Sequence, residues 1–197
     1  MAQARKALAV ATVAVLVILP TARALGQGFS LPQPKDSRIV VPTSIAGLSV
    51  GMSQAKAIAA WGASRGKCSD YGTAPYLHTD CNYGDFSSAT TGSAVVKYFN
   101  GKLASVEVIS ALVGTGDPNF KAGSALLKMK TSAGLGIGAK YAGVKKAYPK
   151  GTLEGRPSDE RFIYKVKGKG KAYFTFTFWG KNQKAFILGL NDGVYHP

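Results

Sequence analysis

Strict alternation of apolar and polar residues marks two stretches near the C-terminus as β-strands. A period of two is the pattern of a strand with one buried side and one open side. The predicted buried positions are Phe162, Tyr164 and Val166 in one strand and Phe174, Phe176 and Phe178 in the other. The opposite side and the connecting turn are predicted to present Arg161, Lys165, Lys167, Lys171, Tyr173 and Trp179.

A second hairpin is predicted between residues 92 and 109. Two apolar stretches, 94–99 and 103–109, flank the dipeptide Asn100-Gly101. This dipeptide is a strong hairpin signal because a type I′ turn requires positive φ at both central residues. A last strand is predicted over 185–190.

Two short helices are predicted from the helical spacing of apolar residues. The first runs from Ser53, a suitable N-cap, to Trp61, and the second from Lys140 to Tyr148. Helices this short depend on packing for their stability, so each needs a sheet to lie on. Their predicted apolar faces are Ala55, Ile58, Ala59 and Trp61 in the first, and Tyr141, Val144 and Tyr148 in the second.

The two helical segments occupy equivalent places in a recurring pattern. Residues 47–62 and 134–149 both begin Gly-Leu-x-(Val/Ile)-Gly, continue into a helix and end on an aromatic residue and a breaker. Recurrence of this kind indicates a duplicated unit. The predicted fold class is α+β, with two tandem repeats, 43–113 and 121–197. Each repeat would be a short helical segment packed on antiparallel strands, and both would share one face of a sheet.

The N-terminal segment resembles a secretory signal peptide. Arg5 and Lys6 precede an apolar run from Ala7 to Leu19, and small residues surround Arg23. We predict a signal peptide over 1–24 with cleavage near Ala24; the alternative is an uncleaved anchor. Residues 25–42, rich in Pro and Gly, are predicted to be an extended leader outside the fold. The expected location is therefore secreted or in the cell envelope.

Positive charge is concentrated in the second half of the chain. Residues 121–197 contain fifteen Lys and Arg against four Asp and Glu, whereas 25–120 contain seven against six. Such asymmetry favours an anionic partner or surface. The simpler alternative is that the charge only keeps the protein soluble.

Cys68 and Cys81 are the two cysteines of the chain. In an exported protein, such a pair predicts a disulfide. The alternative is a reactive or metal-binding pair that includes His78 and Asp80, but no second Cys or His pair is present to complete a zinc site. We therefore predict no metal and no cofactor.

The pattern over 47–62 resembles the repeat of the β-lactamase inhibitory protein family, and it is also similar to small outer-membrane assembly lipoproteins. The resemblance implies a helical segment on an antiparallel sheet, two tandem copies and a concave sheet surface. Cys68 and Cys81 match the place of the disulfide in the family's first unit, whereas the second unit has no cysteines. Asp85 and Phe86, after Gly84, match the Gly-Asp-aromatic loop that the inhibitor inserts into its target, at a shorter distance from Cys81.

A hydrolase is the enzymatic alternative. Residues 62–66 match G-x-S-x-G around Ser64, and Asp192 and His196 would complete a triad. However, a nucleophile elbow needs a strand before the serine and a helix after it, and here a helix precedes the serine and the disulfide loop follows it. The sequence therefore favours a protein that is not an enzyme.

Two functions remain after this step. The first is a binding module that recognises an extracellular or envelope protein through its open sheet face, as an inhibitor does, with Tyr173 and Trp179 as aromatic anchors. The second is attachment to an anionic polymer or membrane surface through the basic second half. Nucleic acid is not expected as a partner of an exported protein, and the mature chain is expected to have no transmembrane segment.

Overall fold

The computed structural model describes residues 36–61, 67–84, 92–112, 118–120, 125–194 and 196. These residues form mainly antiparallel β-structure with two α-helices of seven residues each. The strands, in chain order, are β1 (Arg38–Val40), β2 (Ser44–Ile45), β3 (Lys67–Tyr71), β4 (His78–Gly84), β5 (Ser93–Phe99), β6 (Lys102–Ile109), β7 (Ala111–Leu112), β8 (Pro118–Asn119), β9 (Lys130–Thr131), β10 (Thr152–Glu154), β11 (Arg161–Lys167), β12 (Tyr173–Trp179) and β13 (Lys184–Asn191). The helices are α1 (Gln54–Ala60), α2 (Tyr141–Ala147) and a 3₁₀-helix over Ala125–Lys128.

Eight strands form one antiparallel sheet in the order β10-β11-β12-β13-β6-β5-β4-β3. The four strands that follow α1 make one half of this sheet, and the four that follow α2 make the other. β13 and β6 meet at the centre, where Leu188 pairs with Val108 and Leu190 with Val106. These four side chains are fully buried. Two smaller sheets, β2-β1-β9 and β7-β8, complete the described structure.

The predicted fold class, α+β with two tandem helix-on-sheet repeats, is wrong. The described structure is mostly β-sheet, and one continuous eight-stranded sheet replaces the two predicted units. Two helices of seven residues are too short to form a layer that balances this sheet. Pairing of β6 with β13 also removes two strand edges that separate units would leave open.

Phenylalanine side chains of β12 form the core beneath α2. Tyr141 contacts Phe162 and Phe178 edge-on, with ring centroids 5.3 and 5.5 Å away, and Tyr148 stacks on Phe176 at 5.9 Å. The alternation predicted over 161–179 is therefore present. The side chains that it buries completely are Phe174, Phe176 and Phe178.

Two buried tyrosine hydroxyls lie in this core. Tyr164 donates a hydrogen bond of 2.6 Å to the carbonyl oxygen of Tyr148, and burial raises the pKa of Tyr164. Burial, together with the charge that Tyr83 would carry, raises the pKa of Tyr98. Within the described residues the Tyr98 hydroxyl has no hydrogen-bond partner. Both core hydroxyls therefore stay neutral under physiological conditions.

α1 begins and ends close to the predicted bounds but buries a different face. The N-cap Ser53 accepts a hydrogen bond from the Lys56 amide, as predicted. Ala57 and Trp61, four residues apart, are each 1% exposed, and the Trp61 indole Nε1 donates to the Ala46 carbonyl at 3.1 Å. Anchoring of this large indole decides the orientation of so short a helix. The predicted stripe residues that lie exposed are Ala55, Ile58 and Ala59.

The end of the predicted leader belongs to the fold. Residues 38–40 form β1, which pairs antiparallel with β2 and parallel with β9. Ile39 is 2% exposed and lies in the core cluster. The prediction that 25–42 lies outside the fold is therefore wrong for this strand, and 1–35 lie outside the described residues.

The predicted turn at Asn100-Gly101 joins β5 and β6, and both residues have positive φ, 48° and 70°. The Asn100 side chain also ties this turn to the β3–β4 loop, because it donates to the Pro75 carbonyl and accepts from the Leu77 amide. The Asn100-Gly101 dipeptide thus fixes the register of the β5–β6 hairpin and also the position of the β3–β4 loop.

Replacing Gly101 by Ala should lower the free energy of unfolding by about 1–2 kcal/mol, because an L-residue in the left-handed region carries that cost. A Cβ at Gly101 would meet no atom within 4 Å. The expected loss of stability therefore comes from the backbone conformation alone and not from a steric clash. Gly143→Ala in α2 is the matched control. Its Cβ would make ordinary contact with Leu135 at 3.6 Å, and helix propensity predicts a gain of about 0.5–1 kcal/mol. Urea unfolding measures both, and equal effects would contradict the prediction.

Candidate binding face

Alternate residues of the eight strands face away from the helices and form one continuous surface, here called the open face. The strand register places these residues in rows across the sheet. One row contains Lys165, Thr175, Gly189, Glu107, Val95 and Asn82, and the next contains Lys167, Tyr173, Asn191, Ser105, Lys97 and Asp80.

The open face is large enough for a protein partner. Strands lie about 4.8 Å apart and rise about 3.3 Å per residue, so eight strands of about seven residues span roughly 34 by 20 Å. This is close to the ~800 Å² that each partner contributes to an interface of standard size. Size alone does not indicate binding, so the chemistry of the face decides what it can contact.

Basic and aromatic side chains interleave on the β10–β12 half. The Lys165 ammonium lies 3.9 Å from the centre of the Tyr173 ring and 3.5 Å from a Glu154 carboxylate oxygen. Lys167 lies opposite Tyr173 on the neighbouring strand and is exposed. The cation–π contact holds the Tyr173 ring in place while one side stays accessible. The structure thus brings together three of the residues predicted from the sequence.

Trp179 and Arg161 are cross-strand partners at the far end of β11 and β12. Trp179 is half-buried and packs edge-on against Phe186, with ring centroids 5.6 Å apart. This indole therefore has a packing role as well as an accessible edge. Arg161 is exposed beside it.

Three predicted site residues lie elsewhere. Lys171 is in the turn between β11 and β12, not within a strand, so its side chain borders a cavity at the end of the sheet. Asp85 and Phe86, the predicted insertion loop, lie outside the described residues.

The predicted disulfide between Cys68 and Cys81 is confirmed. The two residues are direct cross-strand partners on β3 and β4. Cys81 is fully buried. Because β3 is the edge strand of the sheet, the bond attaches this edge covalently to the core.

An aromatic cluster at the β3–β5 end of the sheet was missed by sequence reasoning. The Phe99 ring contacts His78 at 5.0 Å and stacks on His196 at 4.3 Å. Tyr71 and Tyr76, in and after β3, are 57% and 55% exposed. No periodicity connects these residues in the sequence. The one available signal was a pair of tyrosines flanking a Gly- and Pro-containing turn.

Asp192 and His196 come together as the triad alternative required. The His196 Nε2 lies 2.7 Å from a carboxylate oxygen of Asp192. The His196 ring stacks on Phe99. Ser64 lies outside the described residues, so the complete triad stays untested.

Charge across the rest of the open face is mixed. Glu107 is exposed at the centre, and Lys97 lies 3.9 Å from an Asp80 carboxylate oxygen in the β4–β5 half. The face therefore has one basic half and one half of balanced charge.

Among the described residues, no group of three His, Cys, Asp or Glu side chains is arranged to hold a metal ion. Neither helix in the described ranges is long and apolar enough to cross a membrane.

No family model and no curated protein matches this chain. Two solved structures are similar to part of it. One is an extracellular protein with an SCP domain from Bacillus anthracis, with a TM-score of 0.46 and 12% identity, covering 78% of this chain and 47% of that one. The other is a cysteine-rich secretory protein from Staphylococcus aureus, with a TM-score of 0.41 and 10% identity, covering 85% of this chain and 55% of that one. This chain thus spans about half the length of either protein.

The predicted resemblance to the β-lactamase inhibitory protein family and the outer-membrane assembly lipoproteins is wrong. The matching structures are SCP-domain and cysteine-rich secretory proteins. The quoted pattern depends on glycines that adopt positive φ, such as Gly47 and Gly51 at 83° and 79°. Glycines of this kind indicate a local turn, and the same turn occurs in unrelated folds. The pattern therefore does not identify a family.

Proposed function

We propose that this chain is a secreted, non-enzymatic binding module that recognises a protein through its open face. The single observation that supports it best is the fixed aromatic and basic group on β11 and β12. Tyr173 is held by the Lys165 ammonium at 3.9 Å, and Lys167 lies beside it. A tyrosine side chain that is already ordered loses little entropy on binding, and tyrosine is a common interface anchor.

The proposed partner presents an acidic surface. The only described acid that neutralises this half of the face is Glu154, which is 3.5 Å from Lys165. Arg161 and Lys167 are exposed, and neither has an ion pair within the described part of the chain. An acidic partner would complement these cations and approach faster at low salt.

Partner capture from the culture medium and envelope of the producing organism tests this proposal. For a captured protein, Tyr173→Ala should weaken binding by about tenfold or more, which corresponds to about 1.4 kcal/mol. The control is Ile58→Ala, which truncates an exposed apolar side chain on α1, away from the open face; the affinity of this variant should be unchanged. Calorimetric titration with the purified partner gives both constants. Equal affinities for wild type and Tyr173→Ala would overturn the proposal.

The second candidate is attachment to an anionic polymer or membrane surface. It is favoured by the fifteen basic residues of 121–197 against four acids. Ionic strength separates the two functions, because exposed charge contacts are screened by salt and buried interface cores are not. Release of the protein from envelopes in molar salt would support attachment by charge. Retention would support a protein interface with a buried core.

Charge removal on the open face should act mainly on the association rate. The triple variant Arg161→Ala, Lys165→Ala and Lys167→Ala should associate with the partner about tenfold more slowly at low salt. A matched triple on the helix side, Lys145→Ala, Lys146→Ala and Lys150→Ala, removes the same net charge. Surface plasmon resonance over a salt series measures both. If the two triples slow association equally, net charge and not the open face controls binding.

A further inference from the structure

A cavity of about 560 Å³ lies at one end of the sheet, between the β5–β6 turn, the β11–β12 turn and the C-terminal segment. It is a surface groove that is open to solvent along much of its length, so a ligand in it would be only partly enclosed. The walls are mainly apolar and are formed by Val50, Phe99, Leu103, Ala172 and Val194.

Polar groups of the cavity wall are already engaged. The Asn100 side chain bonds to the Pro75 carbonyl and the Leu77 amide. Asp192 accepts from the Val194 amide at 2.9 Å and lies 2.7 Å from the His196 Nε2. Neither side chain has to be satisfied by a ligand.

Three ammonium groups at the cavity, unlike Asn100 and Asp192, remain available to a ligand. Lys102, Lys169 and Lys171 all border it, and all three are exposed. Within the described residues none of them forms an ion pair. The site therefore combines an apolar interior with several positive charges and one acid, Asp192, that is already occupied. This arrangement complements a ligand with one apolar body and one anionic head group.

We infer that this cavity binds a free fatty-acid-type carboxylate, with the alkyl chain against Val50 and Val194 and the head group near the three lysines. Apolar walls whose Asn100 and Asp192 side chains are already hydrogen-bonded favour an alkyl chain over a sugar or a peptide backbone, whose polar groups would lose their hydrogen bonds with water. Exposed ammonium groups then provide selectivity for the carboxylate. This site lies apart from the Tyr173 and Lys165 group, and its ligand is a different class of molecule from the proposed protein partner.

Calorimetric titration of the full-length secreted protein with decanoate below its micelle concentration tests the inference. We expect saturable binding with one site per chain. Decanol, which lacks the charge, and acetate, which lacks the chain, should each bind about tenfold more weakly or worse, a difference of about 1.4 kcal/mol. If decanol binds as tightly as decanoate, the proposed role of the anionic head group is wrong. If decanoate does not saturate the protein, the proposed site is wrong.

Variants separate this cavity from binding elsewhere on a basic protein. Lys102→Ala, Lys169→Ala and Lys171→Ala together should weaken decanoate binding by about tenfold. Lys145→Ala, Lys146→Ala and Lys150→Ala on the helix side should leave it unchanged. Val194→Asp places a carboxylate on the apolar wall at a side chain that is 46% exposed, so the fold should tolerate it while binding is lost. Equal weakening by both lysine triples, or retained binding by Val194→Asp, would overturn the assignment.

Discussion

Replacing Phe176 by Ala is expected to lower the free energy of unfolding by about 3–5 kcal/mol. Phe176 is 0% exposed and lies at the centre of the aromatic core. Its ring centroid is 5.0 Å from that of Phe174, 6.4 Å from that of Phe178 and 5.9 Å from that of Tyr148 on α2. Truncation removes a buried ring and leaves a void between the sheet and the helix.

Small domains have net stabilities of about 5–15 kcal/mol, so this one change should remove a large part of the total. Urea unfolding followed by circular dichroism measures it. Thr177→Ala is the matched control, because Thr177 is the next residue on β12 and its half-buried side chain lies on the open face. A loss below about 1 kcal/mol is expected for this control. Similar losses in the two variants would contradict the assignment of buried and open faces on β12.

Removal of the disulfide is expected to cost about 3 kcal/mol. Cys68 and Cys81 are separated by 13 residues, and chain-entropy arithmetic gives about that value for a loop of this size. The double variant Cys68→Ala and Cys81→Ala should therefore unfold at lower urea concentration than the wild type. In the folded double variant, β3 should be the first strand to fray, since this edge strand pairs only with β4.

Reductant provides the control for this prediction. A thiol reductant should lower the stability of the wild type to about that of the double variant, and it should not affect the double variant. Hydrogen exchange of the β3 amides that donate to β4 then measures the fraying of β3 directly. An unchanged unfolding free energy in reductant would show that the bond does not stabilise the domain.

Local features of this fold could be predicted because neighbouring residues determine them. The alternation of Phe174, Phe176 and Phe178 with half-exposed residues identifies β12 and its buried side. Asn100 and Gly101 tolerate positive φ better than other residues do, which places the β5–β6 turn. Steric and solvation preferences of residues that are neighbours in the sequence can be predicted without knowing how the rest of the chain folds.

The buried face of α1 was predicted wrongly because a helix of two turns has little periodicity to interpret. Hydrophobicity alone gives Ile58 the same weight as Trp61, yet Ile58 is 37% exposed and Trp61 is 1% exposed. The hydrogen bond from the Trp61 indole to the Ala46 carbonyl orients the helix. Its acceptor lies fifteen residues earlier and carries no pattern in the sequence.

The sequence by itself determined β11, β12 and β13, the Asn100-Gly101 turn and the cysteine pair, since each depends on contacts between residues close in the chain. Only the tertiary structure decided that β6 and β13 are the strands that pair at the centre of the sheet, that Ile39 enters the core, and that Phe99 lies between His78 and His196. Contacts of this second kind depend on which surfaces meet after the chain has closed long loops. Many apolar strands could satisfy the same local pattern, and packing of the complete core selects among them.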